Sequence, residues 1–181
     1  GNAPMIQRGL VTSYGSATPS VGKNVFLAPG SIVTGDVEIG ENASIWYNAV
    51  VRGDVNYIRI GAGTNVQDLA VVHVTHDTNP TQIGRNVTIG HGATIHGCTL
   101  GDECLIGIGA IVLDGAVVES GAMVAAGAVV TPGTRVASGT LVAGTPAKVL
   151  RELRPEEVTE LAASASRYVE YARRTAAGLR D

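Results

Sequence analysis

Gly115, Gly121, Gly127, Gly133 and Gly139 stand six residues apart, and an aliphatic residue keeps the same period along most of the chain. Taking that aliphatic residue as position i of a hexad, the register runs Val21, Leu27, Val33, Ile39, Ile45, Val51. It resumes as Ile60, Val66, Val72, then as Ile83, Ile89, Ile95. From Leu100 it continues through Ile106, Val112, Val118, Val124, Val130 and Val136 to Val142. Two residues before each of these the side chain is mostly small, as at Ser31, Ala43, Ala49, Ala70, Ala93, Ala110, Ala116, Ala122 and Ala128. In a strand, positions i and i−2 point to the same side. Each hexad therefore predicts one short strand with a large and a small inward residue, closed by a tight turn. This is the hexapeptide signature of a parallel β-helix. Three strands make a triangular coil of about 18 residues, and the twenty hexads predict six to seven coils. The expected class is mainly β, with stability coming from stacked neighbours rather than one globular core.

Composition agrees with a thin, regular object. Phe, Trp and Tyr total seven residues of 181, while glycine supplies 24, so the interior must be built from Val, Ile, Leu and Ala. Net charge is −3 with no basic run, which argues against nucleic acid as a partner. No apolar stretch approaches the ~20 residues of a membrane span, and no signal peptide is evident. The opening "GNAP" before Met5 reads as an expression remnant. Two cysteines, Cys98 and Cys104, fit a reducing, cytoplasmic setting better than a disulfide scaffold. Both occupy the small inward position and are expected to be buried free thiols.

The chain divides into an N-terminal segment over 1–18, a β-helix over 19–150 and a C-terminal helical segment over 151–181. Pro155, Glu156 and Glu157 suit a helix start. Val158, Leu161, Ala162, Ala165, Tyr168, Val169 and Ala172 recur at helical spacing. One amphipathic helix over about 155–177, capped by Gly178, is predicted to lie along the β-helix.

The period breaks in three places: three extra residues after Val51, five extra after Val72, and one too few after Ile95. Loops tolerate insertions, but regular scaffolds also carry function where they are interrupted. All three breaks flank a segment that holds every histidine of the chain, His73, His76, His91 and His96. His73 and His96 both follow the inward aliphatic residue, in hexads three apart. They therefore stack on one face about 4.8 Å apart, pointing outward, with Arg52 one coil below in the same column. His91 falls at a turn between faces. A closed threefold ring brings the corner of one prism to the face of the next, which predicts a site shared between subunits. Three imidazoles and one open position suit a catalytic Zn²⁺ centre. The alternative is that these are ordinary surface histidines. His76 lies in the insertion and matches no column. Asp68, one coil beneath His91, is placed to orient that imidazole, and Arg52 and Asp54 can pair at the surface.

The stretches "SIWYNAVVRGD", "IGAGTNVQD", "VVHVT", "IGHGATIHGC" and "GTPAKVLREL", in this order, resemble the γ-class carbonic anhydrases and their relatives over nearly the whole chain. The last stretch is shared with hexapeptide acyltransferases and does not discriminate. The resemblance implies a left-handed β-helix, a homotrimer, and a metal held by His73, His91 and His96, two from one subunit and one from the next. It implies that Arg52 and Asp54 pair near the subunit interface. It also implies that Gln67 hydrogen-bonds the nucleophile or the bicarbonate beside Asp68, and that Tyr168 reaches the site from the C-terminal helix. Zn²⁺ is the expected metal, and Fe²⁺ or Co²⁺ suits the same ligands. The expected reaction is reversible hydration of CO₂ to bicarbonate. Two departures imply low activity. Val55 follows "RGD" where the most active members carry glutamate. The loop after His73 offers only His76 and Asp77 for proton transfer. The other readings are a CoA-dependent acyltransferase or thioesterase on the same solenoid, or a metal-binding trimer without fast catalysis.

Overall fold

The computed structural model describes residues 8–179, so the opening "GNAP" lies outside it. The hexads form a parallel β-solenoid of about seven turns, followed by a single helix. Three flat faces run along it. On the first, Phe26–Leu27, Ser44–Ile45, Asn65–Val66, Thr88–Ile89, Leu105–Ile106, Met123–Val124 and Thr140–Ala143 stack in parallel, and Lys148–Glu152 closes that sheet as an antiparallel edge. The second face holds Leu10–Thr12, the first part of Ile32–Ile39, the first part of Val50–Ile60, Val71–His73, Thr94–His96, Ile111–Val112 and Val129–Val130. Ser20–Val21, the later parts of the two long strands, Thr81–Ile83, Thr99–Leu100, Val117–Val118 and Arg135–Val136 make the third.

The inward register is the one the period predicts. Every aliphatic position from Leu27 to Val142 is at most 3% exposed, while Val21 at the open end is half-buried. Ala43, Ala49, Ala70, Ala93, Ala110, Ala116, Ala122 and Ala128 fill the narrow space beside them. Each buried Val, Ile or Leu contributes roughly 1.5–3 kcal/mol, so the solenoid is stabilised evenly along its length. At one corner the turn residue must take a left-handed backbone in every coil. Asn42, Gly63 and Asn86 stack there with φ of 60°, 71° and 55°, a conformation open to glycine and tolerated by asparagine.

The helix spans Pro155–Gly178 on the first face. Its start is tied by Glu157, which accepts the Arg154 backbone N–H at 2.9 Å and both Arg151 guanidinium nitrogens at 2.6 and 3.0 Å. It runs one residue further than the glycine cap predicts: Gly178 is helical and Leu179 caps it, its N–H reaching the Ala176 carbonyl at 3.2 Å. Leu179 packs on the cluster of Phe26, Ala28, Trp46, Ala172 and Ala176, which holds the last turn down. Among the described residues, no helix is long and apolar enough to cross a membrane.

The three breaks are ordered. The first is a bulge within the continuous strand Val50–Ile60, where Gly35 pairs with Gly53 but Val37 pairs with Ile58. The second is a short loop pinched by a Thr75–Asn79 bridge. At the third, Gly97 turns with φ 60°.

Candidate metal centre

His73 and His96 occupy paired positions of neighbouring parallel strands. Their rings meet edge to face with centroids 5.1 Å apart, and His73 Nδ1 lies 3.2 Å from His96 Nε2. The remaining nitrogens are each engaged by a carboxylate. His73 Nε2 is 2.9 Å from Asp54 Oδ1, and His96 Nδ1 is 2.7 Å from Asp114 Oδ1. Val50 and Val51 pair with Val71 and Val72, so Arg52 follows as the neighbour of His73. Its guanidinium donates to Asp54 Oδ2. Burial raises the Asp54 pKa, but hydrogen bonds from His73, the Val55 N–H and Arg52 outweigh it and hold the carboxyl at about 2. Burial likewise raises Asp114, and donation from the Thr75 hydroxyl and from His96 brings it below the usual carboxylate range.

His91 sits at the corner between the first and second faces. The Gly92 N–H bonds to the Asp68 carbonyl and the Gly109 N–H to the His91 carbonyl, both at 2.9 Å, so Asp68 and His91 are successive members of one column. Asp68 Oδ2 is 3.0 Å from His91 Nδ1. Gln67, beside Asp68, is buried on the helix-covered face, where its Nε2 donates to Asn65 Oδ1 at 3.1 Å. Tyr168 stacks edge to face on Trp46 at 5.6 Å. Burial pushes its phenol up, and the Asp68 charge pushes it further.

One chain therefore carries two separate groups. Arg52, Asp54, His73, His96 and Asp114 lie on the second face. Gln67, Asp68, His91 and Tyr168 gather at the corner and under the helix. Among the described residues, no three His, Cys, Asp or Glu side chains of a single chain form a group able to hold a metal ion. The donor chemistry nonetheless fits a cation. Two nitrogen ligands of a tetrahedral ion at 2.0–2.1 Å stand about 3.3 Å from each other, close to the 3.2 Å between His73 Nδ1 and His96 Nε2. Metal-binding histidines usually donate their second ring N–H to a carboxylate, and all three imidazoles have one.

His76 sits at the tip of the short loop, 70% exposed, its Nδ1 3.2 Å from Asp77 Oδ2. Cys98 and Cys104 are buried free thiols, and burial pushes Cys98 up to about 12. Sequence reasoning missed Asp114, Thr75 and Thr81. The buried Thr81 hydroxyl donates to the His73 carbonyl at 2.5 Å and accepts the Gly97 N–H at 2.8 Å, stapling the two histidine strands together. Asp114 stands one coil above Gly97, since the Gly115 N–H bonds to the Gly97 carbonyl. Counting columns for carboxylates as well as imidazoles would have found it.

Residues 18–53 and 97–132 match the family described as bacterial transferase hexapeptide (six repeats), and residues 80–113 match the hexapeptide repeat of succinyl-transferase. The mitochondrial γ carbonic anhydrase 2 of Arabidopsis thaliana is 51% identical over 161 residues, which is 86% of this chain and 58% of that protein. The chain thus spans about 60% of the length of the plant relatives it matches. A carbonic anhydrase of Geobacillus kaustophilus is 40% identical over 89% of this chain and 88% of its own. The crystal structure of a hexapeptide transferase family protein from Anaplasma phagocytophilum superposes with a TM-score of 0.88 at 48% identity, covering 91% of this chain and 96% of that one. With the repeat, the paired histidines and the Geobacillus relative matched over 88% of its length, the chain belongs to the γ carbonic anhydrase-like family of hexapeptide-repeat proteins.

Proposed function

We propose that this protein catalyses the reversible hydration of CO₂ to bicarbonate at a metal centre shared between subunits of a homotrimer. In this reading His73 and His96 of one subunit and His91 of the partner subunit hold Zn²⁺; Fe²⁺ and Co²⁺ suit the same three nitrogens. The observation that carries it is the donor arrangement. Each imidazole has one nitrogen anchored on a carboxylate, Asp54, Asp114 or Asp68, and the other nitrogens of the stacked pair face each other at 3.2 Å. A metal bound there supplies the Lewis acidity that makes water a nucleophile near neutral pH.

The chain's own residues supply the rest. Arg52 holds Asp54, and Asp54 holds the His73 ring. The Gln67 amide nitrogen is occupied by Asn65, so its carbonyl oxygen is the end left to accept a hydrogen bond from water or from the bicarbonate hydroxyl. Hydration of CO₂ releases one proton. The ionisable side chains standing in solvent in the loop after His73 are His76 and Asp77, and they take it towards buffer.

The test combines metal content with rates. Trimers loaded with Zn²⁺ or Fe²⁺ should hold one metal per chain, one for each His73, His91 and His96 triad, and hydrate CO₂. His73→Ala and His91→Ala subunits should each lose metal as pure proteins and regain part of it when exchanged into mixed trimers. A metal-free protein that transfers or hydrolyses acyl-CoA would replace this reading with the transferase one. Metal without hydration at any buffer concentration would leave a binding trimer.

A further inference from the structure

The three breaks in the hexapeptide period meet at one side chain that the proposed reaction has not used. Asp114 approaches His96 Nδ1 to 2.7 Å, and its other oxygen accepts the Thr75 hydroxyl. Thr75 belongs to the second break and is fixed by backbone as well. Its N–H bonds to the Asn79 carbonyl at 2.9 Å, and its carbonyl accepts the Asn56 side-chain amide, from the first break, at 3.2 Å. The third break supplies Gly97. A methyl group built on Gly97 would come 2.8 Å from Asp114 Oδ1 and 3.0 Å from the Asn79 Cβ, and φ there is +60°. The missing side chain is the space through which the carboxylate reaches the imidazole.

We propose that Asp114, oriented by Thr75, is a positioning residue. It takes the N–H of His96 Nδ1 so that Nε2 is presented to a metal, and the loop after His73 exists in part to hold it. This role rests on the metal reading above. Asp114 would do for His96 what Asp54 does for His73. The two carboxylates engage opposite nitrogens, Nε2 of His73 and Nδ1 of His96, and so leave the remaining two facing each other at 3.2 Å, where a metal would take both. A regular hexad at any of the three breaks would remove Asn56, Thr75 or Gly97 from this arrangement.

Loss of such an outer carboxylate typically costs 10–100-fold in metal affinity. The test uses the full chain and Zn²⁺, with affinity read by chelator competition and the His96 tautomer read by ¹⁵N imidazole NMR on metal-free protein. Asp114→Ala should bind Zn²⁺ about 10–100-fold more weakly and lose the pure Nδ1–H tautomer of His96. The near-isosteric Asp114→Asn guards against a folding failure and should fall between that variant and the wild type. Thr75→Val should weaken binding, and Thr75→Ser, which keeps the hydroxyl, should restore it. A merely structural role would shift the melting temperature of the metal-free protein and leave the tautomer unchanged. Unchanged affinity and tautomer in Asp114→Ala, beside a wild type that binds Zn²⁺, would overturn the role of Asp114 alone. A wild type that binds neither Zn²⁺ nor Fe²⁺ would overturn the metal reading and this role with it.

Discussion

Removing the Phe26 ring should detach the C-terminal helix while the solenoid stays folded. The helix buries little of its own: Leu161, Ala165, Ala172 and Ala176 are at most 3% exposed, and Ser164 is 8% exposed. At about 0.8 kcal/mol per methyl and about 2 kcal/mol for the leucine, that is roughly 4–5 kcal/mol of apolar burial. The face it lies on is dominated by two aromatics, Phe26 and Trp46, with ring centroids 5.3 Å apart, and Tyr168 closes over Trp46. Phe→Ala at a fully buried site costs about 3–5 kcal/mol, an amount comparable to the whole docking energy. The main core is a separate cluster that excludes Phe26, so the loss is local. Trp46 is the only tryptophan and is 7% exposed, so its fluorescence reports docking directly. In Phe26→Ala we expect red-shifted emission at low urea, loss of hydrogen-exchange protection over 155–178, and a far-ultraviolet β signal that unfolds later. Because Gln67 lies under this helix, the CO₂ hydration proposed above should fall as well. Unshifted Trp46 emission with one coincident unfolding transition would refute the view that the helix docks as a separate unit.

Three further outcomes are expected. Hydrogen bonds from Arg151 and from the Arg154 N–H hold the Glu157 carboxyl at about 2. Its stabilising effect should therefore be full above the ordinary value of 4.5 and fade as pH falls from there towards 2. The melting-temperature gap between wild type and Glu157→Gln should close over that range and stay constant at higher pH. Cys98 and Cys104, each 1% exposed with Cys98 pushed up to about 12, should resist iodoacetamide at pH 8 in the folded protein, and both should react in urea. On the proposed function, His76→Ala should slow CO₂ hydration at low buffer, by less than the ~10²-fold of a well-placed acid–base group, because His76 stands in solvent with Asp77 as its partner. Imidazole buffer should restore that rate, and metal content should not change.

Much of the site was legible because a solenoid turns sequence distance into position. Once the hexad register is known, three hexads equal one coil, and the stacking of His73 on His96 or of Asp68 beneath His91 follows by counting. The helix was legible for a different reason, its 3.6-residue apolar stripe. Its exact end was not, because Leu179 is held by tertiary contact with the aromatic cluster rather than by local capping chemistry. The aromatic bed itself went unread. Phe26 and Trp46 point outward in the hexad register, and nothing in a β-helix pattern says which face a later helix will cover.

The amino-acid sequence by itself determined the solenoid, its inward residues and the columns of His73, His91 and His96, since these depend only on a repeat whose neighbours are three hexads away. The tertiary structure alone decided what happens where the repeat fails. Counting stops at an insertion, and the path of the extra residues is set by what they touch. Asp114 accepts the Thr75 hydroxyl across 39 residues of sequence, the Thr75 carbonyl in turn accepts the Asn56 amide of the first break, and Gly97 leaves the space beside the carboxylate. The 18 residues from His96 to Asp114 are one coil, but no periodicity connects Thr75 or Asn56 to that carboxylate. Only the folded chain shows that three separate irregularities seat one carboxylate.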